Sequence, residues 1–269
     1  MKHQRTLSLH HLTALDVAPI DLPAYAAQAG CDYVGVFCDL PRVKAAGYPT
    51  LSPGKSEQQF REALIAHDIS VNNLELFQIR PDTEIYEFRE GLAMGNRLGA
   101  RQITVHVHDA DPVRSVAAFS ELCRIAADYG LDVALEFTSF SAVRTLETAL
   151  TLIRAANRTN GRLALDLLHF FRNGGTLNAI QSLEPHELGY VQVCDGLYLN
   201  PEDLYAEAVK NRMLPGDGEF PIQQVLSMIP DNVIVDVEVP QMRLKELGVS
   251  ARRRIALAVE RTIKTFTPR

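Results

Sequence analysis

The chain has 269 residues, room for one large α/β domain, and its 46% hydrophobic and 22% charged content is that of a folded globular protein. A net charge of −6 excludes a broad nucleic-acid-binding face, which needs a surplus of Lys and Arg. No apolar run approaches the ~18 residues of a membrane span. The polar start over 1–6 carries no signal-peptide pattern, and Cys31, Cys38, Cys123 and Cys194 lack metal-finger spacing. The expectation is a cytoplasmic protein with free thiols.

Alternation over 6–10 predicts the first strand, and 22–30 a short helix closed by Gly30. A second strand over 33–37 leads into a long loop of breakers: Pro41, Gly47, Pro49, Pro53 and Gly54. A helix over 56–67, with Phe60, Leu64 and Ile65 on one face, precedes a third strand over 69–75. A helix over 82–98, capped by Asp82 and ended by Gly99, precedes the fourth strand over 102–106. Helix 111–129 spaces Val116, Phe119, Leu122 and Ala126 for burial, and the fifth strand covers 133–137. Helix 142–157, a sixth strand over 163–166 and a weaker helix over 177–183 follow, then an acid-rich stretch, 184–187, read as a solvated turn. The seventh strand covers 189–192. A polar loop, a helix over 222–228, an eighth strand over 233–238 and a closing helix over 250–266 complete the chain.

Eight strand–helix alternations imply parallel strands with helical crossovers. Together with a length near the ~250 residues usual for the fold, they predict a (β/α)8 TIM barrel, one domain over 1–269. An open doubly wound sheet is the rival, but no Gly-rich dinucleotide fingerprint follows the first strand.

Four successive strands end in oxygen-bearing side chains: Glu136, Asp166, Gln192 and Glu238. The C-terminal strand ends of a barrel share one rim, where the fold keeps its active sites. Three acids and an amide converging there would repel unless a cation sat among them. A site for one divalent metal ion is therefore expected. The bland alternatives are strand-end acids that cap a helix or pair with an arginine, a hydrogen-bonded rim amide for Gln192, and a core role for His169. His106 and His108 share a face at the end of the fourth strand and, with Glu75 and His10, are candidate pocket-lining groups.

Glu136, Asp166 with His169 three residues on, Gln192 with Asp195 three residues on, Arg212 before the glycine turn over 215–218, and Glu238 together resemble the xylose-isomerase-like barrels. These comprise sugar phosphate isomerases and epimerases, related dehydratases and an endonuclease branch. The resemblance spans most of the chain. It implies a metal-dependent isomerase or epimerase acting on a small sugar or polyhydroxylated carbonyl compound through an enediolate. Glu136, Asp166, Gln192 and Glu238 would be metal ligands. Glu136 or Glu238 would move the proton, His169 would position or protonate an oxygen, and Arg212 would hold an anionic or hydroxyl group. His106, His108, Glu75, Asp195 and His10 would contact substrate. The family usually has a His where this chain has Gln192. The all-oxygen set that results favours Mn²⁺ or Mg²⁺ over Co²⁺ or Zn²⁺. Some bacterial 3-dehydroshikimate dehydratases are similar in carrying Gln there, so a dehydroshikimate- or inosose-type dehydratase is the alternative reaction. An endonuclease-IV-like phosphodiesterase would need more rim histidines and a basic face, and a non-catalytic ligand-binding barrel is the last rival. The partner expected is a small polyhydroxylated molecule, not nucleic acid or membrane, with self-association into a homo-oligomer left open.

Overall fold

A computed structural model describes residues 5–40, 43 and 47–266; Pro41 and the first four residues, part of the polar start noted above, lie outside the described set. Eight parallel strands close into a barrel in chain order: β1 (Leu7–His10), β2 (Tyr33–Phe37), β3 (Ser70–Ile79), β4 (Gln102–Val107), β5 (Asp132–Glu136), β6 (Gly161–Asp166), β7 (Leu188–Val193) and β8 (Ile234–Val237). Closure is made by β1 against β8, with Leu7 beside Val235 and Leu9 beside Val237. The helices are α1 (Leu22–Ala29), α2 (Lys55–His67), α3 (Arg89–Arg97), α4 (Pro112–Asp128), α5 (Leu146–Ala156), α6 (Leu167–Arg172), α7 (Leu177–Ile180), α8 (Leu204–Lys210), α9 (Ile222–Met228), α10 (Met242–Glu246) and α11 (Ala251–Lys264). The expected (β/α)8 TIM barrel is the fold found.

Strand side chains alternate between the barrel axis and the surrounding helices. The outward rows are apolar: Leu7 and Leu9, Ile103 and Val105, Val235 and Val237 are fully buried. They meet helix faces such as Phe119, Leu122 and Ile125 of α4, each such side chain contributing about 1.5–3 kcal/mol on burial. Asp111 starts α4 by accepting from Val113 N (2.9 Å) and Arg114 N (3.0 Å), a cap worth about 1 kcal/mol. The inward rows are largely polar. Among the described residues, Ala134, Ala164, Tyr190 and Ile234, with Tyr33 against them, form a small apolar cluster of their own inside the barrel.

Several expected boundaries shift for local reasons. β3 does not stop at residue 75 but runs to Ile79, because Phe77 and Ile79 bury against the helix layer. The chain then turns on Thr83, whose hydroxyl accepts from Arg80 N (2.9 Å) and donates to Gln78 O (3.1 Å). The helix expected from Asp82 therefore begins only at Arg89, after a 3₁₀ turn, Ile85–Phe88, and Asp82 is not its cap. α5 begins at Leu146 rather than 142, because Thr145 and Thr148 cap its end reciprocally. Ile65 lies 100° round the helix from Leu64 and is 77% exposed, not on the buried face. Glu187 is no solvated turn residue: it is buried, and Arg154 grips it through Nε (2.6 Å) and Nη2 (2.9 Å). The short helices α6, α8 and α10 were not anticipated. All four cysteines are free and buried, and no helix among the described residues is long and apolar enough to cross a membrane.

Candidate active site

β5, β6, β7 and β8 bring Glu136, Asp166, Gln192 and Glu238 to one end of the barrel, all four buried. Register explains the convergence: Asp166 lies beside Gln192, and Val193 beside Val237, directly before Glu238. Glu136 Oε2 is 3.0 Å from His106 Nε2, and its Oε1 is 3.9 Å from His169 Nε2. Burial pushes the Glu136 carboxyl above its ordinary range, against the pull of His106 and with Asp166 and Glu75 adding to it. Asp166 Oδ1 caps α6, accepting from Leu168 N (2.6 Å) and His169 N (3.3 Å), while Oδ2 receives Arg212 Nη1 at 2.7 Å. Burial would raise the Asp166 carboxyl, but the Arg212 guanidinium and His169 outweigh it and hold it at about 2. The second arm of Arg212, Nη2, reaches Glu238 Oε1 at 3.0 Å, and its Nε donates to Ala208 O at 2.8 Å. Burial keeps the Glu238 carboxyl high despite Arg212 and His10, and lowers His169 to about 3, so that its imidazole is neutral.

Gln192 Nε2 donates to Glu238 Oε2 at 2.5 Å, which points the other end of the amide away from that acid. Gln192 Oε1 is buried and has no hydrogen-bond partner among the described residues, an arrangement that costs about 1–3 kcal/mol if nothing meets the oxygen. Ligand atoms of Glu136, Asp166 and His169 lie within 4.8 Å of one another. A buried amide oxygen without a partner, on the strand position paired with Asp166, fits a hard divalent cation. His169, expected to sit beside the ion, falls within this group, its ring held edge-on by Phe140 at 5.2 Å.

A cavity of about 380 Å³ opens over the group. Of the residues singled out in the sequence, Glu75, His106, His108, Glu136, His169, Arg212 and Glu238 line it. Asp166, Gln192 and His10 are buried and do not. His10 Nε2 lies 2.9 Å from Glu75 Oε2, while its Nδ1 accepts from Leu12 N at 3.1 Å. Burial works against the Glu75 charge, but His10 beside it brings the carboxyl below its ordinary value. Below Glu75 the axis is filled by a hydrogen-bonded set: Asn73 donates to Glu75 and to Thr104 Oγ1 (2.9 Å), and Thr104 pairs with Tyr190 Oη at 2.8 Å.

Asp195 is placed elsewhere. Its oxygens accept from Gly196 N (2.8 Å), Phe220 N (3.0 Å) and Gly216 N (2.8 Å), so the carboxylate ties the glycine turn to the end of β7 and does not line the cavity. A Cβ at Gly218 would sit 2.6 Å from Gly196 O, which is why that turn needs glycine there. Sequence reasoning missed Gln78 and Arg80, which line the cavity from β3, and the aromatic wall of Phe37, Tyr48, Phe140 and Tyr205. The alternation of Leu76, Gln78 and Arg80 with Phe77 and Ile79 was the available signal.

The profile of the xylose isomerase-like TIM barrel family matches residues 23–259, and the chain belongs to that family. Among characterised relatives it is similar to the inosose isomerase of Bacillus licheniformis, 28% identical over 161 residues, covering 57% of this chain and 55% of that protein. The chain thus spans about half the length of the curated relatives it matches. In fold it is similar to the IolI protein, whose crystal structure holds a zinc atom (TM-score 0.79, 20% identity, 97% of each chain). A second likeness of fold is to the "probable 3-DHS dehydratase" AsbF of Bacillus anthracis (TM-score 0.71, 14% identity, 95% of this chain and 97% of that one).

Proposed function

We propose that the protein is a divalent-metal-dependent isomerase or epimerase of a small polyhydroxylated carbonyl compound, with Glu136, Asp166, Gln192 and Glu238 holding the ion. The observation that carries this reading is the buried, unpartnered Gln192 Oε1, on the strand position paired with Asp166, in a barrel of this family. A bound divalent ion would polarise the substrate carbonyl and spread the charge that develops when the adjacent carbon is deprotonated.

The chain's own groups supply the rest. Glu136 and Glu238 face the same cavity. Burial raises both carboxyls above their ordinary values, which favours their taking up a proton. His106 fixes one oxygen of Glu136 at 3.0 Å, leaving the other to work. Neutral His169 orients a substrate oxygen without contributing charge. Arg212, itself on the cavity wall, holds Asp166 and Glu238 in place, and aromatic side chains line the cavity beside them. Return of the proton to the neighbouring carbon gives isomerisation; return to the opposite face gives epimerisation.

A dehydratase is the second reading, favoured by Gln192 where the family usually has His. It would lose a β-hydroxyl after the same deprotonation. The deciding experiment incubates the Mn²⁺-loaded protein with a panel of sugars, inososes and dehydroshikimate and follows each by NMR. Isomer or epimer formation supports the main reading, and an unsaturated product supports the second. Turnover that survives chelation, or none across the panel, refutes both.

A further inference from the structure

His169 stands among the carboxylates of the rim, with a ring nitrogen within 4.8 Å of oxygens of Glu136 and Asp166. Proximity alone would let the ring ligate an ion. Its hydrogen bonds point elsewhere. Nδ1 receives the backbone N–H of Ser139 at 3.4 Å, and the Ser139 hydroxyl lies at the same distance. A backbone amide can only donate, so the Nδ1 lone pair is engaged and the one ring proton sits on Nε2. Nε2 lies 3.9 Å from Glu136 Oε1, too far for a hydrogen bond, on a ring that lines the cavity.

The amide is held where this pairing needs it. Thr138 N donates to Ser141 Oγ at 3.2 Å, and Ser141 Oγ donates in turn to Val143 O. Ala142 N and Val143 N both donate to Val107 O, at 3.0 and 3.2 Å, which ties the loop between β5 and α5 to the end of β4. The ring is restrained from its own side as well. His169 N donates to Asp166 Oδ1 at the start of α6. Phe140, the residue after Ser139, meets the imidazole edge-on at 5.2 Å and meets Tyr205 edge-on at 5.2 Å. A swing that exchanged the two ring nitrogens would have to displace that packed ring.

We propose that Ser139 is a positioning residue, whose amide fixes His169 as an Nε2–H donor to a substrate oxygen and so keeps the imidazole out of the metal shell. This deepens the metal-site reading and rests on it. A nitrogen that ligates a metal must be bare. Neither nitrogen of His169 is available, one lone pair being engaged and the other position protonated, so the ion is left to the oxygens of Glu136, Asp166, Gln192 and Glu238. A neutral imidazole that gave up its proton would become an imidazolate. His169 therefore steadies the oxygen on which negative charge develops, while the proton itself moves on Glu136 or Glu238. Of the two roles expected for His169, positioning or protonating an oxygen, the geometry selects the first.

The test is NMR of protein carrying isotope-labelled histidine ring nitrogens, first in chelator and then loaded with Mg²⁺ or Zn²⁺. Both ions are diamagnetic, and Zn²⁺ is the readier to take an imidazole. Two-bond proton–nitrogen correlations show which nitrogen carries the proton, and loss of the signal in His169→Gln assigns it. Wild type is expected to show a protonated Nε2 and a bare Nδ1 in every state. Ser139→Ala keeps the amide and should give the same spectrum. Ser139→Pro removes the N–H, and its two nitrogen shifts should draw together as the tautomers mix, with circular dichroism verifying the fold. A wild-type ring protonated on Nδ1, or a Zn²⁺-loaded ring that has lost the Nε2 proton, overturns the proposal whether or not Ser139→Pro folds. Unchanged shifts in a folded Ser139→Pro overturn the role of Ser139. Calorimetry on the same samples reports ion binding separately: a wild type that binds neither ion overturns the metal reading, and the proposal falls with it.

Discussion

Arg212→Met is the most demanding test of the charge arrangement at the rim. Arg212 is 5% exposed and bridges two buried acids, Asp166 at 2.7 Å and Glu238 at 3.0 Å. Met keeps the unbranched stem and removes the charge. Breaking a buried ion pair from one side costs about 3–5 kcal/mol, because the partner charge is left in low dielectric. Two acids lose their partner here, but burial already raises the carboxyl of Glu238, and losing Arg212 favours its neutral form further. Asp166 also keeps its two backbone donors. About 3–4 kcal/mol is therefore the expected loss in the metal-free protein, a fall in Tm of roughly 6–16 °C at about 2–4 °C per kcal/mol for a chain of this size. The assay is thermal and urea unfolding at pH 8 with chelator, repeated with Mn²⁺. Free ion at about 100 times Kd adds about 2.7 kcal/mol to whichever form binds it. Without Arg212 competing for the same oxygens the variant binds more tightly, so the gap should narrow when Mn²⁺ is added. A metal-free loss below about 1 kcal/mol, or equal stabilisation of both proteins by Mn²⁺, would refute the reasoning.

Three further outcomes are expected. Gln192→His should retain divalent-metal binding with its preference moved toward Zn²⁺ or Co²⁺, whereas Gln192→Leu should weaken Mn²⁺ binding strongly; unchanged Mn²⁺ affinity in a titration of the Leu variant removes Gln192 from the coordination shell. Burial pushes the Asp236 carboxyl up to about 6, with His10 and Ser8 opposing and Glu75 and Glu136 adding, so the fold favours its protonated form. The contribution of Asp236 to stability is then fully present below about pH 4 and is lost as pH rises through about 6. Asp236→Asn should remove that loss, gaining on the order of 3 kcal/mol over wild type near pH 7 in chelator; parallel stability–pH curves for the two proteins would contradict this. Asp195→Asn, which puts an NH₂ where backbone donors point, should cost about 1–3 kcal/mol and speed proteolysis within 196–220 at unchanged Mn²⁺ affinity; weakened Mn²⁺ binding would place Asp195 in the site after all.

The strands were legible because each carries a short apolar run whose alternation survives burial, and the rim acids because a carboxylate at the tip of such a run has no packing use. What escaped reading was non-local. Arg212 meets Asp166 and Glu238 across 46 and 26 residues of sequence, and neither spacing leaves a periodic trace. Asp195, a substrate contact by the family resemblance, accepts instead from Phe220 N, 25 residues away. Arg80 lies beyond the register shift that breaks the alternation near Glu75, so a third strand read over 69–75 leaves it out. The helix α8 lay hidden in a polar stretch because only Ala208 of it is buried.

The polar interior of the barrel also governs how the strands can pair. In a barrel apolar on both faces, sliding one strand by a single residue exchanges one buried aliphatic row for another, and little free energy separates the two alignments. Here the same slip would push Asp236, Thr104 or Ser8 into the helix layer and turn Val235, Ile103 or Leu7 toward the carboxylates. Each misaligned strand would strand a polar or charged group in hydrocarbon, costing several kcal/mol. The polar side chains on the axis thus make the wrong barrels far less stable than the right one, and the register they enforce is also what brings Glu136, Asp166, Gln192 and Glu238 to one rim.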